Sequence, residues 1–572
     1  MTTTAPPIDT HRVDLGQFDR VLGDPGEDGT LMSFARCAEL DRREEFPADI
    51  CRELDLMGLP RLYVPAAFGG ALTRYDDLIG ALRSVARRDL SVAIGHAKTF
   101  LGGICVWLAG SEEQARGLAA DIIAGAPVSW GLTERGHGSD LLAGEMAATP
   151  EPDGGYRVQG EKWLINNATR SPLLCLLVRT RPEGGPRGFS LLLADKRDLP
   201  EGRWRTLPKV PTHGIRGADI SGFALDDCPV PARALVGEEG AGLETVLKAL
   251  QITRTICAAL SLGAADQAVR LARDFAGQRE LYGRKLIELP HVRRTLGESY
   301  AALYACETVT AFAARAVHTL PEEMSVISAV AKSYVPTRAD ELITACGELL
   351  GARAFLTEVH EHGAFQKLER DHRVVGIFDG STFVNQHALI NHFPVLARGH
   401  HEATGNEDAV GRAADLAAPL PEARLDRLSL LARGGSSLTQ GLRVATGELR
   451  ALAGRTEGLC RVAELAEELN NRCDRLHGEL ALSPPASQYV QPEAFALARR
   501  YEQCFAGAAA LRAWLLNREP DDDGLWLEAV LTHVLRALRP AGRPTSGEVF
   551  DRLFDAIEGG SAPAFPNAAG AR

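Results

Sequence analysis

The chain has 572 residues, 45% hydrophobic and 24% charged, with a formal net charge of −12. That length exceeds what one hydrophobic core fills, so two or more domains are expected. The acidic balance argues against nucleic acid as the main partner, and no run of about 18 apolar residues stands out, so no membrane span is expected.

Residues 1–12 are rich in Thr and Pro and lack an apolar h-region. They read as part of a mobile tail over 1–25 rather than a signal peptide. Residues 26–127 read as a helical domain. Ala48–Leu56 and 75–87 carry apolar residues at helical spacing, with a breaker at 65–70 between them. Ser111 reads as the N-cap of a helix running to about Gly125. Texture changes over 128–238, where short apolar runs at Leu173–Arg179, 189–194 and 222–225 are bounded by Pro and Gly. These predict a central β domain, barrel-like in form. The helical period returns over 239–397, with long segments at 242–276, 291–318 and 325–350 and a shorter one around 381–393. They predict a four-helix bundle.

The stretch 398–422 is Gly-, Ala- and acid-rich and reads as a linker. It includes His400 and His401, taken as a solvated pair because no metal-ligand set lies near them in sequence, so no metal site is expected. A C-terminal helical extension is expected over 423–558, where Leu459, Val462, Leu465, Leu469, Cys473 and Leu476 share one helical face. Residues 559–572 read as a tail. The eleven cysteines are scattered, with no Cys-x-x-Cys pair. In a chain expected to be cytoplasmic they read as reduced, mostly core thiols. The fold class is α+β, mostly α.

Chemistry concentrates in a few stretches. Residues 129–140 read Ser-Trp-Gly-Leu-Thr-Glu-Arg-Gly-His-Gly-Ser-Asp, with Thr133, Gly136, Gly138 and Ser139 inside seven residues. Glycines let backbone approach a flat or anionic ligand, and hydroxyls and free N–H groups bind it. Further along stand Gly-Glu-Lys-Trp-Leu-Ile-Asn-Asn at 160–167, Gly-Ile-Arg-Gly-Ala-Asp at 214–219 and Gly-Glu-Glu-Gly-Ala-Gly at 237–242. Arg-Glu-Leu-Tyr-Gly follows at 279–283, Arg-Asp-His-Arg at 370–373 and Ile-Phe-Asp-Gly-Ser at 377–381. In this order and at these distances they resemble the acyl-CoA dehydrogenase family over roughly residues 30–395.

The resemblance implies FAD and α,β-dehydrogenation of an acyl thioester, bound to CoA or to a carrier protein. A carboxylate takes the α-proton while the β-hydrogen leaves as hydride to flavin N5. Trp130, Leu132, Thr133, Gly138 and Ser139 would line the flavin and the thioester end of the substrate. Leu164, Ile165 and Asn166 would lie on the flavin's other side. Arg279 and Tyr282 would reach the ADP half of FAD in a neighbouring subunit, which implies a homodimer or homotetramer. Gly351, Ser381 and Thr382 complete the implied cofactor set, and Ser139, Arg254 and Gly380 the substrate set. Electron-transferring flavoprotein is the implied acceptor, and extra C-terminal helices are also a feature of very-long-chain dehydrogenases and acyl-CoA oxidases.

The sequence departs from the family pattern where chemistry is expected. The usual base is a Glu where this chain has Asp379; the other known position, before Arg254, holds Thr253. An Asp arm is about 1.5 Å shorter, and a misplacement of about 1 Å can cost on the order of 10²-fold in rate unless the pocket compensates. Arg135, Asn166, Leu164, Gln251 and Pro290 also replace the residues usual in the family. Alternatives are an oxygen-using thioester oxidase, a nitroalkane-oxidase-like enzyme and a non-catalytic flavin-binding scaffold. Gln386 counts against the second, because that branch carries Arg seven residues after its Asp.

Overall fold

The computed structural model describes residues 15–484, 489–539 and 546–560. The backbone divides into two compact units, Met1–Thr73 with Gly80–Thr253, and Arg74–Ile79 with Arg254–Arg572.

The first unit opens with helices α1 (Leu15–Leu22), α2 (Phe34–Arg43), α3 (Ala48–Leu56), α4 (Tyr75–Ala86, its first turn in the second unit), α5 (Leu90–Ala109) and α6 (Glu112–Ile123). α1 lies inside the stretch expected to be a tail. It is ordered because Phe18 and Leu22 are fully buried and Asp19 pairs with Arg88 at 2.8 Å. Residues 1–14 of that expected tail lie outside the described residues, as do 561–572 of the C-terminal one. Asp89 caps α5, accepting from the Val92 N–H at 2.9 Å. Ser111 caps α6, as the sequence predicts, and forms a reciprocal capping box with Gln114.

Eight strands follow: β1 (Val128–Gly131), β2 (Ala147–Pro150), β3 (Tyr156–Asn166), β4 (Leu173–Arg179), β5 (Phe189–Asp195), β6 (Trp204–Leu207), β7 (Ile220–Val230) and β8 (Leu235–Val236). They make one sheet in the order β6-β7-β3-β2-β4-β5-β8, with β1 parallel to β4. Its core gathers Tyr156, Val158, Leu174, Leu176, Leu192, Phe223 and Val230. The β3–β7 register slips twice, at Gln159 and at Leu164. The second slip puts Leu164 at φ +57°, turning an apolar side chain outward in mid-strand.

The second unit takes α7 (Gly242–Gln278) from Arg254 onward, a hairpin β9 (Glu280–Leu281) and β10 (Arg284–Lys285), then α8 (Pro290–Thr319), α9 (Met324–Leu350), α10 (Ala364–His372) and α11 (Thr382–Ile390). Pro290 at the first helical position suits the start of α8, where the missing N–H has no partner to lose. α5 and α7 are, by length and composition alone, long and apolar enough to cross a membrane. The protein uses both as core helices, burying 78% and 83% of their apolar windows.

The expected linker 398–422 is largely helical. α12 (Phe393–Glu402) runs into it and α13 (Glu407–Ala414) follows. Arg315 of α8, fully buried, explains the order. Its guanidinium donates to the carbonyls of Arg412 and Ala413 at 3.0 Å and Ala418 at 2.8 Å, and pairs with Asp76 at 3.1 Å. His400 is half-buried rather than solvated, its ring stacked on His477. α14 (Ser437–Gln440), α15 (Leu442–Ala453), α16 (Cys460–Leu482), α17 (Pro492–Asn517), α18 (Leu525–Leu538) and α19 (Glu548–Glu558) complete the unit. α17, α18 and α19 pack directly on α8, so the C-terminal extension and the bundle share one core.

Candidate active site

The predicted site residues fall in both units. In the first, β1 carries Trp130 up to Gly131, where any Cβ would come within 2.8 Å of Leu176 Cδ2 and 3.0 Å of the Phe223 ring. Ser129 Oγ donates to the Asn166 carbonyl at 3.0 Å, and the Trp163 N–H donates to the Thr133 carbonyl at 3.0 Å. The structure therefore brings Trp130, Leu132 and Thr133 alongside Leu164, Ile165 and Asn166, thirty residues later. Below them Lys162, 1% exposed, donates to the Leu132 carbonyl at 3.1 Å and to Glu134 Oε1 at 2.7 Å. Glu134 also accepts from the Glu145 and Met146 N–H groups at 2.6 and 3.0 Å. Burial alone would raise the Glu134 carboxyl, but Lys162 and these donors hold it below its ordinary value. Burial pushes the Lys162 ammonium down.

The rim of this half-site is open. Arg135 lies 4.7 Å over the Trp163 ring and pairs with Glu161 at 3.0 Å. Leu164 is 39% exposed. Gly136 and Gly138 have nothing within 4 Å of where a Cβ would stand, and Ser139 is exposed beside them. Packing does not demand glycine there, whereas a flat ligand lying on the backbone would. Asn166 Oδ1 is buried without a hydrogen-bond partner among the described residues.

In the second unit the half-site is the turn before α11. Asp379 sits at φ +54° and Gly380 at φ +89°. Cys257 Sγ donates to Asp379 Oδ2 at 3.3 Å, and Arg254 Nε donates to the Asp379 carbonyl at 3.2 Å. Cys257 follows Arg254 by three residues, so both face the turn from one side of α7. Burial pushes the Arg254 guanidinium down to about 10, against the pull of Asp379, and it stays charged at neutral pH. Lys332 of α9, fully buried, donates to the carbonyls of Val375 at 2.7 Å and Gly380 at 3.1 Å. Asn385 Nδ2 donates to the carbonyls of Gly380 and Ser381 at 2.9 Å. Ser381 caps α11, and Thr382 begins it. Phe383, next in line, stacks on Phe495 of α17 at 4.4 Å, so the C-terminal extension braces this helix.

Arg279, Tyr282 and Gly351 lie elsewhere. Arg279 is 25 residues beyond Arg254 on the line of α7, roughly 37 Å at 1.5 Å per residue. Gly351 is 19 residues beyond Lys332 on α9, roughly 28 Å away. These distal residues share one end of the bundle, because Arg353 lies 5.2 Å over the Phe275 ring, one turn before Arg279. Tyr282, 99% exposed, and Gly283 have positive φ and form the two-residue turn between β9 and β10.

Sequence reasoning missed Lys332, Cys257, Asn385 and the Glu134–Lys162 pair. Lys332 had a signal, as a lone ammonium in the apolar run 326–335. Glu134 and Lys162 lie inside quoted motifs, and Cys257 and Asn385 had no signal.

Three family models match in order. They are acyl-CoA dehydrogenase, N-terminal domain over 33–126, middle domain over 129–228 and C-terminal domain over 240–392. The chain belongs to the acyl-CoA dehydrogenase family. Membership makes it an FAD-dependent oxidoreductase acting on a CH–CH group. Among relatives it is 30% identical to the mitochondrial isobutyryl-CoA dehydrogenase of Bos taurus, covering 61% of this chain and 82% of the relative. It is 28% identical to the probable acyl-CoA dehydrogenase fadE25 of Mycobacterium leprae, covering 61% and 88%. A solved acyl-CoA dehydrogenase from Bacillus anthracis, complexed with FAD, shares the fold over 98% of this chain and 93% of its own, with TM-score 0.64 at 18% identity. That likeness takes in the C-terminal helices as well. The open glycine backbone and the unpartnered Asn166 acceptor fit a flavin ring.

Proposed function

We propose that this acyl-CoA dehydrogenase family member removes the α-proton of an acyl thioester with Asp379. The observation that carries this is the construction of the Asp379 turn. The half-buried Arg254 and the buried Lys332 and Asn385 fix its backbone, while the Cys257 thiol holds one carboxylate oxygen. A short Asp arm has to be placed by its backbone, and this turn is fixed by three other segments of the chain. Gln386 is directed at Glu502 of α17 and is an amide at the position where a nitroalkane-oxidase-like enzyme would carry Arg.

Trp130, Leu132, Thr133, Gly138, Ser139, Leu164, Ile165 and Asn166 would hold the isoalloxazine ring. Bound FAD supplies the acceptor for the β-hydrogen, which leaves as hydride. Arg254 and Gly380 are the proposed substrate residues of the second unit, and Ser139 that of the first. Arg279, Tyr282 and Gly351 lie far along the bundle from Asp379 and, as the family resemblance implies, would serve the cofactor of a second copy, so a homo-oligomer is part of the proposal. CoA is the proposed carrier and electron-transferring flavoprotein the proposed acceptor.

The test is anaerobic titration of the yellow holoprotein with acyl-CoAs of graded length and branching. Bleaching of the flavin band by one class supports the proposal. A flavin band that no acyl-CoA or acyl-carrier protein bleaches would overturn it.

A further inference from the structure

Ser261 of α7, His372 of α10 and Asp340 of α9 form a hydrogen-bonded row that the chemistry above leaves unused. His372 Nδ1 lies 2.5 Å from Asp340 Oδ1, and His372 Nε2 lies 2.9 Å from Ser261 Oγ. Ser261 and His372 are fully buried, whereas the Asp340 side chain is 49% exposed. The row therefore runs from the interior of the second unit to its surface.

Its inner end shares a helix face with the supports of Asp379. Arg254, Cys257 and Ser261 stand at i, i+3 and i+7 on α7, one side of the helix. Arg254 holds the Asp379 carbonyl, and Cys257 holds Asp379 Oδ2 at 3.3 Å. Cys257 and Ser261 are i, i+4 neighbours with Cβ atoms about 5–6 Å apart. The turned thiol or one bridging water closes that gap. Proton positions along the row follow from its outer end. The Asp340 carboxylate only accepts, so His372 Nδ1 carries the proton and Nε2 is bare. Nε2 therefore accepts from the Ser261 hydroxyl, whose lone pairs are left for a donor on the Cys257 side. Both hydrogen bonds of the row point outward, toward the half-exposed carboxylate.

We propose that Cys257, Ser261, His372 and Asp340 relay the α-proton from Asp379 to solvent. The relay rests on the reading of Asp379 as the base. A base that has taken a proton must shed it before it serves again, and imidazole is a common shuttle between a buried acid and water. Asp379 passes its proton from Oδ2 to Cys257 Sγ as the thiol proton passes to Ser261 Oγ. The Ser261 hydroxyl proton passes to His372 Nε2, the Nδ1 proton passes to Asp340, and water takes it from there. Cys257, Ser261 and His372 each end with as many protons as they began with, and no electron changes owner. All five residues belong to the second unit.

The experiment uses the full-length holoprotein, anaerobic and without an electron acceptor, in ordinary water. Its substrate is the acyl thioester that bleaches the flavin, deuterated at the α-carbon. Each reversal of the reaction returns to the α-carbon whichever hydrogen isotope Asp379 then holds, and mass spectrometry of the recovered thioester reads it. The native protein should lose the label as the flavin bleaches. Asp340→Asn still accepts from His372 but takes no proton, and Ser261→Ala breaks the row in its middle. Each should cut label loss relative to bleaching by at least ~10-fold, with FAD and the circular dichroism spectrum retained. Cys257→Ala should do the same, and Cys257→Ser, which keeps a hydroxyl in the row, should restore the loss. Label loss that keeps its native ratio to bleaching in Asp340→Asn and Ser261→Ala would overturn the relay. Bleaching at the native rate in Asp379→Ala would instead overturn the base, so the two failures are told apart.

Discussion

At the scale of single residues the site turns on backbone that side chains hold in place. Gly380 is the clearest case. Its φ of +89° is open to glycine, and a Cβ there would stand 2.9 Å from Arg254 Nη2 and 3.3 Å from Asn385 Nδ2. Gly380→Ala should cost about 1–2 kcal/mol in stability. It should also displace the Asp379 carboxylate, lowering kcat by on the order of 10²-fold with FAD retained. Steady-state kinetics beside a flavin spectrum checks this, and an unchanged kcat would mean the turn is not positioned as described. Asp379 itself was legible in the sequence because it occupies a motif. Its supports were less so, because Cys257, Lys332 and Asn385 come from three elements that converge only on folding.

At the scale of elements, helices and caps were read well, and the stretches around α1 and α13, expected to be a tail and a linker, poorly. α3, α6, β4 and α18 are amphipathic or apolar runs between clear stop signals, and local sequence suffices for them. α1 and α13 are only eight residues long, too short to be stable alone, and each is ordered by a distant arginine, Arg88 or Arg315. The strand element that matters most is β3, tied to the 132–146 loop by Lys162 and Glu134. Lys162→Met leaves Glu134 buried without its cation and should cost about 3–5 kcal/mol. Adding Glu134→Gln removes the uncompensated charge and should recover part of that loss. Urea denaturation of both variants measures the difference, and equal stability of single and double variants would contradict the assignment.

At the scale of the whole molecule, the C-terminal helices and the bundle form one folding unit. Glu502 of α17 is the marker of that junction. It is 4% exposed, accepts from Ser333 Oγ of α9 at 2.6 Å, and burial pushes its carboxyl up to about 7. A raised carboxyl favours the folded state while protonated. That contribution is present below the ordinary value near 4.5 and is lost as pH rises through about 7. Between about pH 5 and about pH 8 the native protein should therefore lose up to roughly 3 kcal/mol relative to Glu502→Gln. Parallel pH profiles for the two proteins would place Glu502 outside the core. The sequence showed the apolar faces of this extension but not where they pack, since nothing local to α17 points to Ser333. The most direct measurement of the chemistry is anaerobic mixing of Asp379→Ala holoprotein with the thioester that bleaches the native flavin. Retained FAD with bleaching slowed by at least ~10²-fold is the expected result, and bleaching at the native rate would show that another group takes the α-proton.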